Sequence, residues 1–173
     1  MPKRSGSSQE QEFEEFAVAR AAQLYRSAWL LCGSHHQAED LVQETLAKLY
    51  ARWRRPFSRI DNPAAYAQTT LTRTFLGGKR RRSSDEKPYA DVPEQLVDDP
   101  AATADVRLAL RALLAELAPA DRVVLVLRYL EDLSVDEVAD RMGASPGAVR
   151  NRSMRALERI RGLADDSLRI GKD

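Results

Sequence analysis

Residues 133–161, LSVDEVADRMGASPGAVRNRSMRALERIR, constrain the fold more tightly than any other part of the chain. Their start and stop signals define two helices with a tight turn between them. Ser134 caps the first helix, and Glu137, three residues on, closes a capping box. Gly143 ends that helix, since a residue without a Cβ enters the left-handed region at no steric cost. Ser145 caps the second helix, and Pro146 at its first position has no N–H to leave unpaired. Two helices so closely joined predict a helix-turn-helix.

At 100° per residue the second helix resolves into faces. Val149, Ser153, Ala156, Leu157 and Ile160 turn to one side, the inward one. Asn151, Met154 and Arg155 point the other way, with the small Gly147 and Ala148 near the helix start. Arg150, Arg152, Arg159 and Arg161 lie on the flanks. A helix in the major groove needs this arrangement: outward residues reach base edges, flanking cations hold phosphates, and small residues allow close approach. Between positions 141 and 161 six arginines (141, 150, 152, 155, 159, 161) face a single acid, Glu158. A solvated basic helix is the alternative that the charge run alone leaves open.

The 173 residues suffice for one medium domain or two small helical ones. A charged fraction of 31% with 6% aromatics suits a helix-rich protein. The net charge of +1 conceals strong segregation, so it says little about partners. No apolar run approaches the roughly 18 residues of a membrane span. The opening MPKRSGSSQEQE lacks the apolar stretch of a secretory signal. Cys32 is the one cysteine, which excludes an intramolecular disulfide and fits a reducing cytoplasm. It reads as a small buried apolar residue.

Along the chain, residues 1 to about 10 are polar and expected to be unstructured. From Glu12, Phe13, Phe16, Ala17, Ala21, Leu24, Ala28 and Leu31 recur at helical spacing up to Gly33. Ser34 and Gln37 form a second capping box and open a helix whose inward side carries Ala38, Leu41, Val42, Leu46, Leu49 and Trp53. Its other side presents Asp40, Gln43, Glu44 and Ala47. His35 and His36 precede Glu39 and Asp40 at one-turn spacing, but no cysteine or further histidine completes a metal site, and no metal or other cofactor is implied. Pro56 stops this helix, and Asn62-Pro63 starts the next by the cap-plus-proline signal. That helix is expected to fade at Gly77-Gly78 into Lys79, Arg80, Arg81 and Arg82. Its mix of aromatics (Tyr66, Phe75), hydroxyls and cations suits single-stranded nucleic acid, where bases stack on rings and cations follow the backbone. Tyr66 and Phe75 serve equally well as core.

Residues 83–104 are acidic and broken by Pro88, Pro93 and Pro100, the marks of a linker between two helical modules. Its acids are either solvated or suited to a basic channel. Helices resume with Val106, Leu110, Leu113, Leu114 and Leu117 inward, and after Pro119 a segment through Leu130 completes the support for the helix-turn-helix. No strand pattern and no internal repeat is present, so the fold class is all-α: two small helical domains (11–82 and 105–164) joined by an acidic linker. The tail after residue 163 is too short for a further domain.

LYRSAWLLCGSHHQAEDLVQETLAKLYARWRR followed by DNPAAYAQTTLTRTFLGGKRRRS resembles region 2 of the extracytoplasmic-function (group 4) bacterial RNA polymerase sigma factors, in particular the actinobacterial SigE branch. LRALLAELAPADRVVLVLRYLEDLSVDEVADRMGASPGAVRNRSMRALERIR resembles region 4. The likeness covers residues 11–163 in the family's order, linker included. It implies a non-enzymatic cytoplasmic initiation factor with core RNA polymerase and promoter DNA as partners, and an anti-sigma factor as a further candidate partner. Region 2 would dock on a coiled-coil of the largest polymerase subunit through Asp40, Gln43, Glu44 and Ala47. The melted non-template strand of the minus-ten element would meet Tyr66, Thr70, Arg73, Thr74, Lys79, Arg80 and Arg81. Region 4 would contact the polymerase flap and read the minus-thirty-five element in duplex DNA through Ser145, Gly147, Ala148, Arg150, Asn151, Arg152, Met154 and Arg155.

One departure bears on specificity. Where the family commonly has a motif like LVNT, this chain has LTRT, placing Arg73 at the asparagine position. Asparagine both donates and accepts toward a flipped base, whereas arginine only donates. Either the minus-ten preference differs or Arg73 holds phosphate. Gly77-Gly78 also replaces bulkier residues and is expected to loosen the helix end.

Two other readings compete. A stand-alone helix-turn-helix regulator explains the second module and leaves the QAEDLVQETLAKLY face without a task. An inactive sigma-like adaptor or RNA-binding protein would take Arg73 and the glycine pair as signs of lost promoter melting.

Overall fold

The computed structural model describes residues 6–56, 59–82 and 104–170, with side chains described from 8 to 78 and from 104 to 166 within those spans. All regular structure among them is helical. The expected linker falls, apart from Ala104, outside the described residues.

The first module consists of α1 (Gly6–Cys32), α2 (His35–Trp53) and α3 (Pro63–Arg82). Helix α1 starts earlier than its apolar pattern suggests. Phe13 packs tilted against Tyr50 and edge-on against Trp53, with ring centroids 4.9 and 5.7 Å apart, and Phe16 lies 5.7 Å from Trp53. Tyr50 also donates to Glu10 at 3.3 Å. Packing on α2 thus extends the helix into a segment whose composition alone reads as polar tail. Between α1 and α2, Gly33 takes φ +74 and is buried, and a Cβ there would meet Arg111 Nε at 3.4 Å. Ser34 caps α2 by accepting from the Gln37 amide at 3.3 Å.

Asn62 caps α3, its Oδ1 accepting from the Ala65 amide at 3.0 Å. The helix does not fade at Gly77-Gly78 as expected but runs on to Arg82. A glycine costs a helix interior only about 1 kcal/mol, and a Cβ at either position would meet no atom beyond its own stretch of helix within 4 Å.

The second module comprises α4 (Ala104–Ala115), α5 (Pro119–Leu125) running into the π-helical turn Val126–Leu130, α6 (Val135–Met142) and α7 (Pro146–Ile170). Burial along α4 rises toward its C-terminus: Leu114, and Leu117 just past the helix end, are buried, whereas Val106, expected inward, is 57% exposed in the first turn. Val123, Val124, Val126 and Leu127 form the centre of this module, covered by Val138, Val149 and Ala156.

The modules pack against each other, and their buried residues form one continuous cluster from Leu24 to Ala156. The Arg111 guanidinium lies 5.8 Å from the centre of the Trp29 ring. Glu131 accepts hydrogen bonds from buried Ser27 and, at 2.6 Å, from Gln23.

Candidate nucleic-acid interface

The helix-turn-helix forms as its caps dictate. The Glu137 amide donates to Ser134 Oγ at 3.2 Å, and the Ser134 amide donates to Glu137 Oε2 at 2.8 Å. The bond from the Ser134 amide, and after it one from the Ser134 hydroxyl, hold the Glu137 carboxyl below the usual glutamate value; desolvation opposes them, and the charge of Arg141 adds a smaller lowering effect. Gly143 ends α6 with φ +64, and the Ala144 amide returns to the Ala139 carbonyl at 2.9 Å. The Ala148 amide then donates to Ser145 Oγ at 3.2 Å and opens α7.

That entry angle sets the azimuth of α7. Val149 and Ala156 are buried, with Ser153, Leu157 and Ile160 half-buried on the same side. On the opposite side Asn151, Met154 and Arg155 are exposed, Met154 by 61%. Ser145, Gly147 and Arg150 are exposed at or beside them, and Ala148 is half-buried. Arg152 differs from its neighbours: its Nη1 donates to Asp121 of α5 at 2.8 Å.

In the first module Asp40, Gln43, Glu44 and Ala47 form an exposed stripe along α2, opposite buried Ala38, Leu41, Val42, Thr45 and Leu49. Along α3, Tyr66, Thr70 and Arg73 recur at four- and three-residue spacing and share one side. Tyr66 is 38% exposed and Arg73 exposed, while the Thr70 hydroxyl donates to the Tyr66 carbonyl at 2.8 Å. Phe75 is core at 4% exposure, which closes the choice left open for that ring. The side chains of Lys79, Arg80 and Arg81 lie outside the described residues.

Thr74 turns toward α2 and accepts from Lys48 Nζ at 3.0 Å, and Lys48 pairs with Glu44 at 2.7 Å. Lys48 therefore connects the α2 stripe to the α3 side. Sequence reasoning missed it, although its i, i+4 spacing from Glu44 was there to be read. A hollow of about 90 Å³ between the two helices is walled by Cys32, Asp40, Glu44, Thr74, Phe75 and Gly78, among others.

His35 contacts the Tyr25 hydroxyl through Nδ1 and Glu39 through Nε2 at 3.3 Å, and His36 lies 3.7 Å from Asp40. Among the described residues no group of three or more His, Cys, Asp or Glu is placed to hold a metal ion. No described helix is long and apolar enough to cross a membrane.

Comparison with known proteins accounts for both modules. The family model for sigma-70 region 2 matches residues 17–84, and that for sigma-70 region 4 matches residues 107–160. The RNA polymerase sigma-E factor of Streptomyces coelicolor is 36% identical over 153 residues, covering 87% of this chain and 84% of the relative. That of Streptomyces avermitilis is also 36% identical, over 156 residues and 87% and 83% of the two chains. In fold, the chain is similar to the sigma factor RpoE of Bartonella quintana, solved with the anti-sigma factor NepR, at a TM-score of 0.71 and 24% identity over 90% of this chain and 98% of that one. Sigma factors are in general non-enzymatic regulators of initiation. Two matched regions in order, with relatives this similar over most of their length, settle the assignment: the chain belongs to the extracytoplasmic-function group of RNA polymerase sigma factors, which bind core polymerase and direct promoter-specific transcription initiation.

Proposed function

We propose that the work of initiation is divided among three faces of this chain. The stripe Asp40, Gln43, Glu44 and Ala47 docks on the coiled-coil of the largest polymerase subunit, its acid and amide groups meeting basic partner helices. The α3 side (Tyr66, Thr70, Arg73 and Thr74, continued by Lys79, Arg80 and Arg81) holds the melted non-template strand of the minus-ten element, with the ring and hydroxyls at unstacked bases and the cations along phosphates. Helix α7 lies in the major groove of the minus-thirty-five element, where Asn151, Met154 and Arg155 read bases and Arg150 and Arg152 hold phosphates.

The observation that carries this reading is the two-sidedness of α7: Val149 and Ala156 are buried, and Asn151, Met154 and Arg155 are exposed. A merely solvated basic helix has no need to keep its arginines around an outward amide and thioether. The second module also contacts the polymerase flap. Residues 83–104 join the modules. The chain itself makes and breaks no bonds and acts in the cytoplasm, and an anti-sigma factor is a further candidate partner, as NepR is for the sigma factor RpoE of Bartonella quintana.

Run-off transcription from a genomic fragment library, with core polymerase alone and with the chain added, tests the whole reading. Start sites that depend on the chain are expected. Duplex binding with no chain-dependent start sites would instead favour a stand-alone regulator.

A further inference from the structure

The Arg152–Asp121 pair joins the helix assigned to the major groove to the helix beneath it. Arg152 sits in the second turn of α7, next to Asn151, and Asp121 in the first turn of α5. Nη1 lies 2.8 Å from Oδ1, and the side chains are 37% and 19% exposed. Among the described residues the guanidinium makes no other hydrogen bond. Arginine carries five N–H donors in a rigid planar fork. A carboxylate on one corner fixes that plane and leaves the opposite edge for another acceptor.

An acid beside a DNA-binding helix is unfavourable on charge alone, since it repels phosphate. It is favourable if it gives a cation its geometry. An unheld arginine surrenders rotamer freedom when it meets DNA, whereas a held one has surrendered it on folding. We propose that Asp121 is a positioning residue for promoter binding, holding the Arg152 guanidinium so that its free edge meets a phosphate beside the groove occupied by α7. This rests on the reading of α7 as the minus-thirty-five helix.

The two views differ in sign. The test uses the full chain on core polymerase, titrated against a duplex selected from a library randomised across the minus-thirty-five region. Asp121→Asn adds one unit of net positive charge. If the acid only repels DNA, this variant binds more tightly and its salt dependence steepens. If it positions Arg152, affinity falls by up to about tenfold, and the salt slope becomes shallower by about 1 although every cation is kept. Arg152→Ala should show the same loss, the double variant no further loss, and Asp121→Glu should recover most of it. Thermal unfolding of each variant separates a misfolded module from a mispositioned side chain.

Unchanged or tighter binding by Asp121→Asn, or losses that add in the double variant, would overturn the inference. Arg155→Ala, scored on the same duplex and on base-substituted versions, locates the failure. Lost base preference there, beside a silent Asp121→Asn, removes only the positioning role. A silent Arg155→Ala removes the recognition-helix reading, and this inference with it.

Discussion

Arg122 donates from Nη1 to the main-chain oxygen of Leu31, across the boundary between the two modules. Its Nη2 reaches the carbonyls of Ala115 and Leu117, each at 3.1 Å. Leu31 lies in the last turn of α1, and Ala115 and Leu117 lie at and just past the end of α4. The last carbonyls of a helix have no partner within it and carry partial negative charge. One guanidinium therefore satisfies two helix ends that belong to different modules. It does so at 7% exposure. Burial pulls its pKa below the usual arginine value, and the charge available to nearby Cys32 acts the other way.

Replacing Arg122 by methionine should therefore cost more than an apolar swap in the core. The side chain volume is nearly kept, but two buried carbonyls and one part-buried carbonyl lose their donor. Removing one partner from such a buried set costs about 3 kcal/mol. Arg122→Lys should fall between, because an ammonium cannot present a fork to both helix ends. Denaturant unfolding of the three proteins checks the order. Equal stability of the methionine variant would mean that water readily replaces the guanidinium.

Glu131 makes the second tie between modules, and it should behave as a coupled unit with Ser27. Ser27 is buried at 2% exposure and donates its hydroxyl to Glu131, which also accepts from Gln23. Glu131→Ala strands a buried hydroxyl and should cost about 1–3 kcal/mol. Ser27→Ala combined with Glu131→Ala should cost less than the sum, because the second change removes the stranded group. A double-mutant cycle on unfolding free energies measures this. Strict additivity would show that the pair is incidental to stability.

The acidic stripe on α2 should be separable from folding. Gln43 and Glu44 are exposed, opposite the buried Ala38–Leu41–Val42 side. Gln43→Ala with Glu44→Ala removes no core contact, so helicity and thermal unfolding should stay close to those of the parent. Co-purification with core polymerase should be lost. Retained co-purification would move the docking face elsewhere. Because Glu44 also pairs with Lys48, which bonds Thr74, the single variant Glu44→Ala should also be scored for minus-ten melting.

What could be read from the sequence was local. Caps at Ser34, Asn62, Ser134 and Ser145 lie within three residues of the groups they bond, so four helix starts follow from short strings. The faces of α2 and α7 follow from periodicity for the same reason. What stayed hidden depends on distant partners. Arg122 and Leu31 are 91 positions apart and Glu131 and Ser27 are 104, so Arg122 and Glu131 look like ordinary surface charges in the sequence. Arg152 resembled the other flank arginines until Asp121 stood beside it. The early start of α1 and the continuation of α3 past Gly77-Gly78 fail in the same way. Composition describes the segment, whereas packing and the hydrogen-bond ladder decide it.

The capping box at the start of α6 gives a pH dependence with a definite sign. The bonds from Ser134 lower the Glu137 pKa in the folded state. A carboxyl with a depressed folded pKa contributes stability above its unfolded value and loses it as pH falls through the folded one. The box should therefore be intact at neutral pH and open only below the usual glutamate range. Following the Glu137 carboxyl by NMR checks this, and a titration at or above the usual value would contradict it. Glu137→Gln can still bond the Ser134 amide, so it should keep the cap and flatten this part of the acid dependence.

Arg155 and Arg150 lie five residues apart on α7, both exposed, and they should fail in different ways. Arg155 shares the outward side with Asn151, one turn earlier, where a guanidinium can bond guanine at O6 and N7. Such a contact discriminates by about 1–3 kcal/mol. Arg155→Ala should thus weaken binding to the preferred minus-thirty-five sequence and narrow the gap to substituted sequences. Arg150 lies on the flank, where a phosphate contact carries no sequence information. Arg150→Ala should weaken every sequence alike and reduce the salt slope by about 1. Titrations at several salt concentrations, on matched and substituted duplexes, separate the two. If both variants changed only the salt slope, base reading would have to reside with Asn151 and Met154, and Arg155 would join the phosphate contacts.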